Sequence, residues 1–406
     1  LGVRVLTAYL TPSQYGELSL GITMGGVIYS VFFGPLTNGI TRFFPIAKEK
    51  KEISFYLFNV LNIIIKGSSF ICLISLFIII LTFASGNLNW IFMVLASISF
   101  GFIYSFNNLI NGLQNAFRKR IIVSINQGLM TFSRFFVAVL FINIFGSSST
   151  VVIFGQLIGL FLTLIIQLYF FTPTLRGYIK NEKYKVSTID WQSKISSFTR
   201  PLITIGLLNW LRIAVEKWGL LFFTNYDEAV GFYSVIYQFG YYPISLLINL
   251  LSTYLRPIYF EKAGDNKKRL KSTYFLGVKI FIISFLFLSS LILVAFFYRE
   301  IIFQLILDDK YKSVSYLIGP MMMSALLNES TSFVSLLMQT KRETKPLLLP
   351  NSYIYLSGLI LALFGAYFYG LYGVVFAALL NSFIKFILFS CLCIYHYKKL
   401  DYSNNF

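Results

Sequence analysis

Thr11-Pro-Ser-Gln-Tyr-Gly16-Glu-Leu-Ser19, an apolar run, and then Gly39-Ile-Thr-Arg42-Phe-Phe-Pro45 form a unit that the chain states twice. The looser copy reads Asn225-Tyr-Asp-Glu-Ala-Val-Gly231-Phe-Tyr-Ser234, another apolar run, and Leu255-Arg256-Pro257-Ile258. Gly16 and Arg42 lie 26 positions apart, Gly231 and Arg256 25. Each copy reads as a short outside turn, a membrane-spanning helix and a basic turn on the other side. Lys66 follows Arg42 by 24 positions, and Lys279 follows Arg256 by 23. Farther on, Asn111-Gly-Leu-Gln-Asn-Ala-Phe-Arg-Lys-Arg120 is matched in kind by Leu336-Leu-Met-Gln-Thr-Lys-Arg-Glu343. The offset drifts from 215 to about 223, which a longer loop around Asp308-Asp309 absorbs. Four matches in one order predict two similar halves, and a repeat on this scale decides a fold.

The chain is 57% hydrophobic and 12% charged, with a mean hydropathy of +0.72. A soluble domain carries about 25% charged residues, so the sequence predicts an all-α polytopic membrane protein. Taking roughly 20 apolar residues per span, twelve spans are expected. They lie near 1–10, 16–40, 60–84, 88–110, 121–145, 150–171, 201–223, 230–254, 275–298, 314–338, 347–369 and 372–396. Turn chemistry marks breaks at Ser85-Gly86-Asn87, Gly146-Ser147 and Tyr369-Gly370. Pro35, Pro243 and Pro320 fall inside spans and predict bent helices. The repeat predicts that the first span has lost about 15 residues at its start, so that helix is read as truncated. The halves are expected as an N-terminal lobe over 1–172 and a C-terminal lobe over 200–406, with a basic linker over 173–199 between them.

A net charge of +18 in a soluble chain would suggest nucleic acid as a partner. Here the basic residues sort by side instead. One set of alternate loops holds 24 of the 34 Lys and Arg residues, and the opposite set holds three, Arg299, Lys310 and Lys312. Such an asymmetry places the basic side in the cytoplasm and predicts that both ends of an intact chain are cytoplasmic. Cys72, Cys391 and Cys393 sit in apolar runs without His, Asp or Glu beside them. That spacing argues against a disulfide or a metal site, and no cofactor is expected.

Seven basic residues remain within spans: Arg4, Lys66, Arg134, Arg212, Lys217, Lys279 and Lys385. At about 2.5–3.5 kcal/mol each, seven facing lipid would cost roughly 20 kcal/mol, more than the usual net stability of about 5–15 kcal/mol. Several must therefore face water or a partner. Lys66 and Lys279 lie near the ends of their spans and read as snorkelling to the interface. Arg212 and Glu216 are four apart on one helix face, where they can neutralise each other, although Lys217 keeps that cluster positive. Arg134 stands mid-span without a local acid and reads as cavity-lining. Lys385 follows Asn381 by four positions. Glu329 reads either as a proton or cation site or as a packing partner for a basic residue. A positive, water-accessible cavity at membrane depth suits an anion, and the guanidinium fork suits phosphate in particular.

At Arg4-Val-Leu-Thr-Ala-Tyr-Leu-Thr-Pro-Ser-Gln-Tyr-Gly16 and Gly39-Ile-Thr-Arg-Phe-Phe-Pro45 the chain resembles the Wzx-type polysaccharide flippases of the multidrug/oligosaccharidyl-lipid/polysaccharide exporter superfamily. Asp227-Glu-Ala-Val-Gly-Phe-Tyr-Ser234, leading to Arg256-Pro257, is similar to the family's second-half counterpart. The resemblance implies two six-helix lobes around a central cationic cavity in the bacterial cytoplasmic membrane. It implies an undecaprenyl-diphosphate-linked oligosaccharide, such as an O-antigen, capsule or exopolysaccharide repeat unit, as cargo. By the same resemblance Arg4 matches the family's first-helix Arg, and Arg134 and Arg212 its basic residues in spans five and seven. With Lys217, from the charge reading above, they are expected to hold the diphosphate, while Arg42 and Arg256 read as charges at the cavity mouth and Glu329 as the candidate to couple an ion. Expected partners are membrane lipids, a glycan polymerase and a chain-length regulator. A cation-coupled multidrug exporter of the same superfamily is the alternative. A membrane-embedded polymerase or acyltransferase is less favoured. A polymerase would be expected to show a large external loop, and an acyltransferase an intramembrane His where the chain has only His396 at the last helix's end. The chain is therefore read as no enzyme.

Overall fold

The computed structural model describes residues 2–84, 86–180, 189–224, 228–263, 267–340 and 348–402. Every regular element among them is helical. The elements are α1 (Gly2–Tyr9), α2 (Pro12–Val27), α3 (Gly34–Glu49), α4 (Ile53–Ala84), α5 (Leu88–Ala116), α6 (Arg120–Phe145), α7 (Ser149–Lys180), α8 (Trp191–Phe223), α9 (Ala229–Ile236), α10 (Tyr242–Ala263), α11 (Lys267–Phe297), α12 (Arg299–Ile306), α13 (Ile318–Thr340) and α14 (Leu348–Tyr402). Seven helical stretches among the described residues are long and apolar enough to cross a membrane, from Pro12–Glu49 to Leu348–Tyr395. The chain is an all-α polytopic membrane protein. It divides into two compact units, Leu1–Ala214 and Val215–Phe406, with the boundary inside α8.

The opening motif is a helix start. Thr11 caps α2, accepting from the Gln14 backbone N–H at 3.2 Å, while the Gln14 Oε1 accepts from the Thr11 N–H at 3.0 Å. This reciprocal capping box satisfies two backbone donors that a helix N-terminus otherwise leaves open, and Pro12 fits the first helical position because its N–H would be orphaned there anyway. The motif also clamps the start of α7. Gln14 Nε2 donates to the Ser147 carbonyl at 3.1 Å, and Ser149 Oγ donates to Glu17 Oε2 at 2.5 Å.

Pro35 and Pro243 distort their helices in one way. Each lies two residues beyond a π-helical segment, Ile28–Phe33 in the first unit and Tyr237–Tyr241 in the second. The widened turns close with Gly34 N–H on the Tyr29 carbonyl and Tyr242 N–H on the Tyr237 carbonyl, each five residues back. A proline removes one i→i−4 bond and its ring crowds the carbonyl below; a π-turn makes room for it. By these prolines the second copy is shorter ahead of the kink, with Pro243 12 positions after Gly231 and Pro35 19 after Gly16. The repeat is thus carried by the kinked helix, not by a fixed residue register. Pro320 differs from the sequence expectation. It sits in the first turn of α13, after a 3-10 segment over Asp309–Leu317, where a missing N–H breaks nothing. The loop around Asp308-Asp309 is likewise structured, by α12 and that 3-10 turn.

Three glycines have positive φ among the described residues, Gly86 (69°), Gly146 (89°) and Gly370 (56°). They stand at the three breaks that the turn chemistry marks, and Gly370 divides α14 into two antiparallel spans. In that hairpin a Cβ on Gly365 would lie 2.4 Å from the Gly373 carbonyl oxygen. The third span of each unit faces outward: α4 and α11 have mean hydropathies of 2.5 and 2.8, and only 11% of each is buried. Apolar residues left uncovered on such helices are solvated by hydrocarbon.

In the first unit α5 packs on α2, α3 and α7, and α6 on α7. Buried carboxamides fasten the contacts. Gln167 Nε2 donates to the Asn107 carbonyl (3.1 Å) and to Asn111 Oδ1 (2.8 Å), and Asn126 Nδ2 donates to Gln114 Oε1 (3.2 Å). Phe33, Phe44, Tyr56, Phe117 and Trp191, with Leu36, belong to a buried hydrophobic core rich in aromatic rings. Trp191, fully buried, meets the Tyr56 ring edge-on at 5.3 Å and donates its Nε1–H to Glu52 at 3.1 Å. The start of α8 is thereby anchored on α4. Truncating a buried Trp to Ala costs about 3–5 kcal/mol. Trp191→Ala is therefore expected to lower the unfolding midpoint in detergent sharply, and Trp191→Phe, which keeps most of the packing, only slightly. Equal midpoints for Trp191→Ala and the parent protein would show that the core does not depend on this anchor.

Candidate functional site

In the first unit the close seam between α6 and α7 sets the position of Arg134. Gly155 and Gly159, four apart on α7, let the two backbones touch. A Cβ on Gly155 would lie 2.6 Å from the Ala138 Cα, and one on Gly159 2.6 Å from the Ser133 carbonyl oxygen. Small residues at this spacing are what allow helices to approach in lipid. Ser133 Oγ crosses the seam to the Gly159 carbonyl at 3.1 Å. Between the two glycines stands Gln156, 2% exposed, and its Oε1 accepts from Arg134 Nη2 at 3.1 Å. The same guanidinium lies over the rings of Phe100 (5.0 Å) and Tyr104 (5.9 Å) on α5, which stack on each other. Tyr104 in turn meets Tyr29, in the π-segment, edge-on at 5.5 Å. A half-buried arginine is thus held charged by an amide oxygen and the negative faces of two rings.

The second unit holds a chain of polar contacts at membrane depth. Glu216 on α8 is 3% exposed and accepts from the Tyr233 hydroxyl at 2.7 Å. Tyr233, Tyr237 and Tyr241 follow at intervals of four. Tyr233 and Tyr237 rings are 6.2 Å apart, and those of Tyr237 and Tyr241 are 4.7 Å apart and nearly parallel at 7°. The π-turn over Tyr237–Tyr241 is what places the last two rings face to face. Tyr241 then donates its hydroxyl to Glu329 Oε1 on α13 at 2.7 Å. Asn328 Nδ2 donates to the same carboxylate oxygen at 3.0 Å and contacts the Tyr241 hydroxyl. On its other side Asn328 Oδ1 accepts from Lys385 Nζ at 2.9 Å. One asparagine therefore links an ammonium on α14 to a carboxylate on α13. Ser324 Oγ, 2.9 Å from Ser382 Oγ, holds the same two helices together.

The residues singled out from sequence divide between the units. Arg4 is exposed on α1, Arg134 and Arg212 are half-buried in the first unit, and Lys217 is half-buried in the second. Arg42 is exposed, with its guanidinium 4.7 Å from the Phe198 ring. The Arg256 side chain lies outside the described residues, as do Lys183, Lys185, Lys341, Arg342 and Lys345 of the basic loops. Lys66 and Lys279 are exposed on the two outward-facing helices. Sequence reasoning missed Gln156, Tyr241 and Asn328. Intramembrane amides and the four-residue tyrosine spacing were the available signals.

Solved structures share this fold over nearly the whole chain. An inward-facing conformation of a multidrug resistance MATE family transporter of the MOP superfamily aligns with a TM-score of 0.73 at 13% identity, covering 99% of this chain and 94% of that one. An outward-facing conformation of a MATE transporter aligns at 0.67 and 14% identity, covering 98% and 91%. The lipid II flippase MurJ in an inward closed conformation aligns at 0.59 and 14% identity, covering 96% and 88%. No protein-family model and no curated protein matches the sequence. At these identities the likeness is one of architecture: the chain has the fold of MATE transporters and of MurJ.

Proposed function

We propose that this protein flips a lipid-linked anionic saccharide, an undecaprenyl-diphosphate-linked oligosaccharide, across the bacterial cytoplasmic membrane. The observation that carries the proposal is the guanidinium of Arg134, fixed at membrane depth on Gln156, Phe100 and Tyr104. A permanent positive charge there costs about 2.5–3.5 kcal/mol, and a protein that supports it with two helices has a use for it. Arg212, Lys217 and Arg4 extend the positive field, and Arg42 and Arg256 draw the head group toward the cytoplasmic mouth. Diphosphate oxygens pair with arginine donors in place of lost water, while the lipid tail stays in hydrocarbon. The fold then passes from an inward-open to an outward-open state, and the head group is released on the far side. This is transport without covalent chemistry, so the reading is of a transporter and not an enzyme. A glycan polymerase and a chain-length regulator would take up its product.

Glu329 is the proposed coupling residue. As a carboxylate it accepts from Tyr241 and Asn328. Once protonated it gains an O–H that must find an acceptor, and its bonds from Tyr241 and Asn328 lose the strength that the negative charge gives them. Protonation is thereby tied to the geometry of α10 and α13. Two acids within spans of the second unit, Glu216 and Glu329, also favour a second reading, a cation-coupled multidrug exporter, which the likeness to MATE transporters supports.

In vesicles containing the purified protein, flipping of a fluorescent polyprenyl-diphosphate saccharide is expected to fall at least tenfold in Arg134→Ala and to be partly retained in Arg134→Lys. Lysine keeps the charge but loses the planar fork that suits rings and phosphates. Normal flipping by Arg134→Ala, or export of a cationic dye instead of the saccharide by the parent protein, would overturn the proposal in favour of the second reading. Glu329→Gln, which preserves shape but cannot ionise, is expected to retain saccharide binding while losing stimulation by a pH gradient. Unchanged stimulation would remove Glu329 from coupling.

A further inference from the structure

Inside the second unit, α11, α13 and α14 enclose a cavity of about 180 Å³. Its floor is made of Phe333 and Phe389, 3% and 1% exposed, and its sides of Phe281 and Phe386. Val278 and Ile394 form an exposed rim, 41% and 56% open. The aromatic walls are mutually ordered: Phe281 lies 6.1 Å from Phe386 and 6.2 Å from Phe333, ring centre to ring centre. Ser330, Thr331 and Ser390 add small hydroxyls to the lining, and the Thr331 hydroxyl is already satisfied by the Asn328 carbonyl at 2.7 Å. None of the lining residues is titratable apart from the thiol of Cys393.

The mouth opens where hydrocarbon should be. The rim residue Val278 belongs to the apolar stretch Phe275–Phe297 of α11, the most hydrophobic span among the described residues, with its flank uncovered at Ile282, Ile283, Leu286 and Phe287. Water gains nothing in such a space, because a buried water needs two to four polar partners. An empty void forfeits the dispersion contacts of its lining. A flexible chain of methylene groups restores them without bringing a polar group. We infer that the cavity between α11, α13 and α14 is a binding site for one hydrocarbon chain of a membrane amphiphile, acyl or isoprenoid. The site stands apart from Arg134. It borders the coupling cluster, because Lys385 Nζ lies 5.9 Å from the centre of the Phe389 ring that floors it, and Thr331 bonds the backbone of Asn328. A bound chain therefore packs the wall behind Asn328, Glu329 and Lys385.

The test uses the full chain in vesicles of phosphatidylethanolamine and phosphatidylglycerol, with a photoactivatable diazirine in the hydrocarbon. One arm carries the diazirine in a phospholipid acyl chain, the other in a polyprenyl phosphate. Cross-links are mapped to peptides by mass spectrometry, and the exposed lipid face of α4 around Phe70 and Phe77 reports ordinary boundary lipid. Peptides containing Phe281, Phe386 and Cys393 are expected to cross-link at least fivefold more than the α4 peptides in one arm, and the arm that does so names the source of the chain. Filling the cavity by Val334→Trp, or more mildly by Ser390→Phe, is expected to abolish that excess and leave α4 labelling unchanged. Cavity peptides labelled no more than α4 in both arms would overturn the inference, as would an excess that survives both filling variants. Loss of saccharide flipping by Arg134→Ala bears on neither outcome, so the two proposals fail independently.

Discussion

In hydrocarbon no solvent repairs a freed carbonyl or a stripped charge, and each such group costs several kcal/mol unless the protein itself supplies a partner. The seam between α6 and α7 shows what that demand does to a fold. Gly155 and Gly159 have no side chains there, so the helices meet backbone to backbone. Only at that distance can Gln156 reach Arg134, and Gln156 and the α5 rings replace part of the water that the permanently charged guanidinium has given up. Packing, polarity and charge are here one requirement. A larger residue at either glycine would remove all three at once.

The kinked helices meet the same requirement for the backbone. Pro35 and Pro243 each delete a helical bond, and in each unit the turn just before them widens to a π-segment. What the two units do with the widened turn differs. In the first it presents Tyr29 to Tyr104, the ring that carries part of Arg134's charge. In the second it stacks Tyr237 on Tyr241 and aims the Tyr241 hydroxyl at Glu329. One backbone device thus serves a cation in one half and a carboxylate in the other. The two units thus share the π-turn before a proline while differing in the charge that it serves.

That divergence explains what could be read from sequence. The spans, their breaks at Gly86, Gly146 and Gly370, and the distortions at Pro35 and Pro243 follow from local chemistry, which neighbouring residues express. Arg134 and Glu329 were visible as charges in apolar runs for the same reason. Their partners were not. Gln156 lies 22 positions from Arg134, and Tyr241 lies 88 from Glu329, so only the helix crossings bring them together. The kind of distortion at each proline was equally hidden, since a missing N–H permits a bend, a bound water or a π-turn. Pro320 misled because the start of α13 depends on a 3-10 turn that hydropathy does not mark.

The choice of arginine in the first unit carries a last consequence. A lysine ammonium is a compact, strongly hydrated point charge that readily loses its proton when buried, whereas a guanidinium keeps its charge and lies flat on aromatic faces. Phe100 and Tyr104 stack at 7° to each other, so they offer a flat surface to a planar cation. A site that had only to bind an anion at an aqueous surface could use either residue. One that must stay positive while its surroundings alternate between water, lipid and a bound head group cannot depend on a side chain whose charge follows its solvation. The stacked rings therefore suit a guanidinium better than an ammonium. The second unit instead holds carboxylates that accept hydrogen bonds from tyrosine and asparagine, bonds that a negative charge strengthens. A guanidinium laid on stacked rings and carboxylates met by hydroxyl and amide donors are thus two distinct charge environments, one in each unit.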